Sequence, residues 1–333
     1  MVSVIIPNRN KAAALGQALR AVFASEGARY EVIVVDDASS DCSAEVARRY
    51  PVRLLALREQ VGAARARNLG ASMARGQVLL FTDSDCLLRP HTLRQALRCL
   101  RAQPPGTILG GTYTLRSPLG GFFDRFQSAF VHYCETRRQP PDYVASHLMV
   151  LEARVFRACG GFPEGLPMLE DVALSHRARE MGFRLVLEPA LQVGHLFGFS
   201  LWGSLRNAFR KAYHWGIYAL RRGQLLRDSG TASLGLKASG FSAVLAVLLL
   251  GLWALTAREA VLLALPLIGG LSGYVNRGLF RVFFRAGGWG FMLLGMLYYL
   301  GPFALAAMAG GLAGAMRYGF RPWPVPEPRE AEP

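Results

Sequence analysis

Cysteine is scarce and unpatterned in this chain: Cys42, Cys86, Cys99, Cys134 and Cys159 are the five in 333 residues, and no two form a CxxC pair. An odd count without metal-ligand spacing argues against a zinc site or a disulfide framework and suits a reducing compartment. Negative charge is also short, with 23 Asp and Glu against 38 Lys and Arg, for a net charge of +15. No basic motif interleaved with aromatics accompanies that excess, so no nucleic-acid partner is expected, and anionic headgroups or phosphate-bearing ligands account for the charge. The first strand-to-helix connection, "PNRNKAAALGQ", lacks the glycine triplet that brings backbone against a pyrophosphate, which sets aside a nucleotide-dependent dehydrogenase. The opening "MVSVIIPNRN" is too short for a signal h-region and is interrupted by Pro7, so the first part of the chain is expected to stay in the cytosol. Internal repeats are missing too, and the Pro-rich stretch "RPWPVPEPREAEP" is expected to be disordered.

What is present is apolar and uneven. Hydrophobic residues make up 52% of the chain, more than an ordinary soluble domain carries, and residues 240 to 316 hold long runs almost without charge. A mixed, globular part therefore precedes a part that meets lipid. In the first part, Val- and Ile-rich runs ("VSVIIP", "YEVIVVDD", "VRLLALR", "QVLLF") alternate with segments of helical spacing such as "KAAALGQALRAVFASEG" and "GAARARNLGASMARG". This order predicts an α/β fold with ligands held at the C-terminal ends of the strands. Three strands end in polar residues: Asn8 and Arg9, Asp36 and Asp37, and Asp83 and Asp85. In an extended segment, residues i and i+2 face the same way, so Asp83 and Asp85 could offer two hard oxygen ligands to one divalent cation that also holds phosphates. An isolated DxD is more often a solvated loop.

The motifs "SVIIPNRN", "VVDDASSD", "GAARARNLG", "FTDSD", "GGFPEGLPMLEDVALSHRAREMG" and "VGH" occur in this order, and together they resemble the family 2 glycosyltransferases over roughly residues 2 to 200. The resemblance implies a GT-A nucleotide-binding domain with a mixed, mostly parallel sheet, followed here by C-terminal transmembrane helices. It implies nucleotide contacts for Pro7, Asn8, Arg9, Asp36, Asp37, Arg67 and Asn68, and a metal and diphosphate motif at Asp83 and Asp85, with Mg2+ or Mn2+ as the cation. It puts Glu170 and Asp171 at the acceptor site, with the Asp as base, and His195 where some relatives place a further metal ligand. The chemistry is consistent with this: a cation neutralises the leaving diphosphate as a Lewis acid, and a carboxylate takes the acceptor proton. Arg9 stands where the family has an aromatic before Asn, and "SLRNAFRKAYHWG" replaces the QxxRW of processive members. Transfer of one sugar is thus favoured over a processive polysaccharide synthase; a non-catalytic membrane scaffold is the rival of another class.

Four regions are predicted. Residues 1–200 form the catalytic domain, and 201–238 an amphipathic interfacial linker. Residues 239–316 form a transmembrane region of two to three spans with an interfacial helix near 277–287, and 317–333 the disordered tail. Arg277, Arg281 and Arg285 share one helical stripe. Positive charge before the first span and between the later ones predicts a multi-pass protein of the cell (inner) membrane with a cytoplasmic catalytic domain. The expected partners are a nucleotide-diphosphate sugar donor, a lipid or membrane-associated acceptor, and the bilayer.

Overall fold

The computed structural model describes residues 1–320; the predicted disordered tail, from 321 onward, lies outside the described residues. The chain divides into two compact units. Residues 1–120 with 134–198 form the first, and 121–133 with 199 onward form the second.

The first unit is built on an eight-stranded sheet in the order β3-β2-β1-β4-β7-β6-β8-β5. Its strands are β1 (Val2–Asn8), β2 (Tyr30–Asp36), β3 (Arg53–Ala56), β4 (Val78–Thr82), β5 (Cys86–Leu88), β6 (Thr107–Tyr113), β7 (Leu148–Glu152) and β8 (Arg184–His195). The first four pair in parallel, joined by helices α1 (Ala12–Phe23), α2 (Ser43–Arg48) and α3 (Ala63–Ser72), as the alternating pattern predicts. Because helices cover both faces of such a sheet, its strands are apolar along their whole length. Val4, Ile5, Ile6, Ile33, Val34, Leu79, Leu80 and Phe81 are accordingly fully or almost fully buried. Where α3 crosses β1 the approach is very close: a Cβ on Gly70 would lie 2.5 Å from Ile5 Cγ2.

Beyond β4 the sheet turns mixed. β7 runs antiparallel to β4 and to β6, β8 runs parallel to β6, and β5 runs antiparallel to β8. Helices α4 (Thr92–Arg101), α6 (Ala153–Ala158) and α7 (Glu170–Glu180) belong to this half. Helix α5 (Phe122–Thr136) carries residues of both units. These directions bring the ends of β1, β2, β4, β6 and β8 and the start of β7 to one edge of the sheet. Asn8, Asp36, Thr82, Tyr113, His195 and Leu148 mark that edge.

The second unit is helical: α8 (Leu201–Arg221), α9 (Leu234–Thr256), α10 (Ala264–Val275), α11 (Arg277–Tyr298) and α12 (Ala304–Phe320). Among the described residues, two segments are long and apolar enough to cross a membrane, Leu234–Thr256 and Arg277–Gly319. Along α9, Phe241, Leu248, Leu252 and Leu255 are exposed. Helix α11 is interrupted at Gly287 and Gly288, the latter at φ 74°, a left-handed conformation suited to glycine. That break separates the arginine-bearing turn, with Arg277, Arg281 and Arg285, from the apolar run starting at Trp289. The later run is not one uniform helix, because a π-helical turn at Tyr299–Phe303 surrounds Pro302, which has no backbone N–H to donate. α12 continues to Phe320, four residues into the stretch expected to be disordered. The segment at 201–238, read as an interfacial linker, contains α8, whose glycine Gly216 meets Gly311 of α12.

Candidate active site

Asp85 and Asp83 lie in the short connection from β4 to β5. The sequence reading took this connection as extended, with both carboxylates facing one way. It is instead a turn, closed by the Cys86 N–H donating to the Asp83 carbonyl at 3.0 Å, and the two acids take different partners. Asp83 Oδ1 accepts from Arg67 Nη2 at 2.7 Å. Asp85 Oδ2 is ion-paired with Lys11, and Asp85 Oδ1 lies 3.4 Å from His195 Nε2. The register of β5 against β8, with Cys86 opposite His195, brings that histidine to the turn from more than a hundred residues away. The Leu196 N–H donates to the Asp85 carbonyl at 2.9 Å and fixes the same corner.

Whether this corner suits a divalent cation can be judged from its donors. Asp85, Cys86 and His195 each point one potential ligand atom into a group whose atoms lie within 4.8 Å of one another. Asp85 Oδ1 is buried and has no hydrogen-bond donor among the described residues, so a hard oxygen is left for a cation. Burial, with Asp83 and Asp85 nearby, pushes the Cys86 thiol well above its usual pKa and keeps it a neutral, poor ligand. Asp85 and His195 therefore fit a cation. Asp83, expected as their equal, is absent from that group and serves Arg67.

Arg67, on α3, is the hinge of the site. Its guanidinium bridges Asp83 at 2.7 Å and Glu170 Oε1 at 2.6 Å, and its side chain is almost wholly buried. Burial alone would depress its pKa, but Asp83 and Glu170 outweigh that and raise it. Burial likewise opposes ionisation of Asp83, and Arg67 reverses the effect, so the Asp83 carboxyl sits below its usual range. Glu170 and Asp171 open α7, where carboxylates meet the positive end of the helix. The Asp171 oxygens accept from the Ser146 and Val172 backbone N–H groups at 3.0 and 2.8 Å. Burial first, and Glu170 beside it, push the Asp171 carboxyl up to about 6.

The remaining predicted residues hold the loops around the edge. Asn8 Nδ2 donates to Asp36 Oδ1 at 2.8 Å, and Asp36 also accepts from Ser39. Asp37 accepts from the Val61 and Gly62 backbone N–H groups at 2.7 and 3.0 Å, tying β2 to the start of α3. Pro7 lies within β1, and Arg9 is exposed with its guanidinium 3.4 Å from the Asp37 carbonyl. The Asn68 amide clamps Phe162 at both N–H and C=O, at 2.9 and 2.8 Å, and so supports the "GGF" loop.

Several residues at this edge escaped the sequence reading. Lys11 immediately precedes α1 and reaches Asp85, and nothing in "NRNKAAA" marks it out. Tyr113 ends β6 and stacks on His147 at 4.0 Å between ring centroids. His147 Nε2 lies 3.6 Å from Glu135, whose Oε2 accepts from Thr112 at 2.7 Å. The only signal available was that β6 and β7 meet the same edge, and that follows from strand order rather than from local sequence.

Comparison with known proteins agrees with this geometry. The model of glycosyl transferase family 2 matches residues 3–143. The glycosyltransferase AglE of Haloferax volcanii is 29% identical over 195 residues, covering 55% of this chain and 63% of its own. The pre-mycofactocin glycosyltransferase of Mycobacterium tuberculosis is 30% identical over 208 residues, covering 58% of this chain and 42% of its own. The chain thus spans less than two thirds of either relative. Among solved structures, the mannosyltransferase PcManGT from Pyrobaculum calidifontis, in complex with GDP-Man and Mn2+, superposes with a TM-score of 0.58 at 18% identity, over 95% of this chain and 86% of that one. The shared sheet and the ordered motifs converge: residues 3–143 match the family 2 glycosyltransferase model, and the sheet-bearing unit has the GT-A fold.

Proposed function

We propose that the chain moves one sugar from a nucleotide-diphosphate donor to the hydroxyl of a lipid or membrane-associated acceptor, with inversion at the anomeric carbon. The observation that carries this reading is the division of labour among its carboxylates. Asp85, with His195, is left for a cation, Asp83 and Glu170 share Arg67, and Asp171 remains as a partly buried carboxylate raised to about 6. The bound divalent cation, Mg2+ or Mn2+, would supply Lewis-acid neutralisation of the departing diphosphate. Pro7, Asn8, Arg9, Asp36 and Asp37 border the side of the edge assigned to the nucleotide. Arg67 holds Asp83 and Glu170 in place, and Asp171 takes the proton from the acceptor hydroxyl as it attacks. A cation-bound carboxylate is too weak a base for that step, so the base must be a different acid. The GDP-Man and Mn2+ in the solved mannosyltransferase support the donor class and the need for metal.

The two membrane-length segments support a membrane-associated acceptor, and the arginines at 277, 281 and 285 favour a cytoplasmic catalytic unit on a multi-pass inner-membrane protein. The test is Asp171→Asn: nucleotide-diphosphate affinity, read by calorimetry with manganese, should stay near wild type while turnover falls about a hundredfold or more. Normal turnover, or lost nucleotide binding, would overturn the assignment. Hydrolysis of sugar nucleotides by the wild type, with manganese added, separates an enzyme from a scaffold that only keeps the fold.

A further inference from the structure

Asp85 and Asp83 are neutralised in different ways. Asp83 is paired with Arg67, whose side chain is only 5% exposed and is bound at both ends. Asp85 is nearly as buried as Arg67, at 8% side-chain exposure, but its cation is Lys11, whose side chain is 47% exposed. Lys11 sits just before α1, and its ammonium reaches Asp85 across 74 residues of sequence. A buried carboxylate without a counter-charge is costly, so in a metal-free site some cation must occupy this position. An ammonium and a divalent ion on one carboxylate would repel each other strongly in so poorly hydrated a corner. Lys is suited to such a temporary role, being a compact point charge on a flexible stem.

We propose that Lys11 is a built-in cation that competes with the divalent metal for Asp85, so that the ion-paired and metal-loaded states of the corner are alternatives. Lys11 then keeps the Asp85 charge from repelling the diphosphate when metal is absent, and its departure is part of metal binding. This rests on the donor reading above, but its first test does not.

The first measurement is Mn2+ binding to the full chain in detergent without nucleotide, followed through the EPR signal of the free ion. Lys11→Met should bind Mn2+ about tenfold more tightly than wild type, the size of a typical coupling between competing ligands. Lys11→Arg should stay near wild type, and Asp85→Asn should lose the site. The second is calorimetry with GDP and with UDP, in EDTA and in Mn2+. In Lys11→Met, nucleotide affinity should fall in EDTA and recover in Mn2+, so that metal dependence grows about tenfold over wild type. Circular dichroism melts of each variant confirm folding. Mn2+ affinity in folded Lys11→Met that is unchanged, weaker or undetectable would overturn the proposal. If neither nucleotide binds any variant under either condition, the donor reading fails, while the EPR measurement still decides the role of Lys11.

Discussion

In the proposed role of Asp171 as base, desolvation is the useful feature, because it raises the pKa toward the pH at which the group must pick up a proton. A base acts in its deprotonated form, so activity should be lost as pH falls through the folded value of about 6. The acid limb of kcat/KM, measured from pH 5 to 8, should therefore lie near 6 and disappear in Asp171→Asn; a limb near 4 would mean that Asp171 is not the titrating group. Arg67 offers a stability test. Arg67→Met leaves the partly buried Asp83 and Glu170 without their cation, and because both keep some solvent contact the cost should fall below the roughly 3–5 kcal/mol of breaking a fully buried pair. A thermal melt should show a fall, partly recovered when Asp83→Asn and Glu170→Gln are added, because the stranded charges then vanish.

Among the elements, the pair α8 and α12 shows how glycines let two helices cross closely. Gly310 and Gly314, one turn apart, face the backbone of α8: an added Cβ would lie 2.2 Å from the Phe209 carbonyl and 2.2 Å from that of Tyr213. Small residues at this spacing let backbones approach closely, which is how membrane helices gain van der Waals contact. Gly314→Val should therefore force α8 and α12 apart and lower the melting temperature in detergent. Gly311→Val is the control at its own crossing, because nothing lies within 4 Å of its added Cβ. Equal melts for the two variants would show that the close crossing does not hold the helices together. A buried hydrogen-bonded set adds direction in the same unit: Asn276 donates to Ser239 and Ser272 and accepts from Tyr299.

For the molecule as a whole, the division between units does not follow the sequence order. Residues 121–133 belong with the helical unit, where Phe126 packs on Phe283, Tyr298 and Phe303 at ring-centroid distances of 5.2, 4.8 and 5.0 Å. A chain cut before residue 240 would strip Phe126 and Phe130 of these partners and expose an apolar face. Such a fragment should bind ANS strongly and aggregate without detergent, whereas the full chain in detergent should do neither; a soluble, ANS-silent fragment would contradict this. The sequence alone determined the alternation of strands and helices, because it is written in local periodicity. It also determined the ordered motifs and the apolar run of residues 240 to 316. Only the tertiary structure decided that Asp83 and Asp85 part company across a turn, that Lys11 and His195 converge on Asp85, and that part of α5 joins the second unit. Those outcomes depend on strand order and register, which bring together residues that are far apart in the chain, and no local pattern records such long-range pairing.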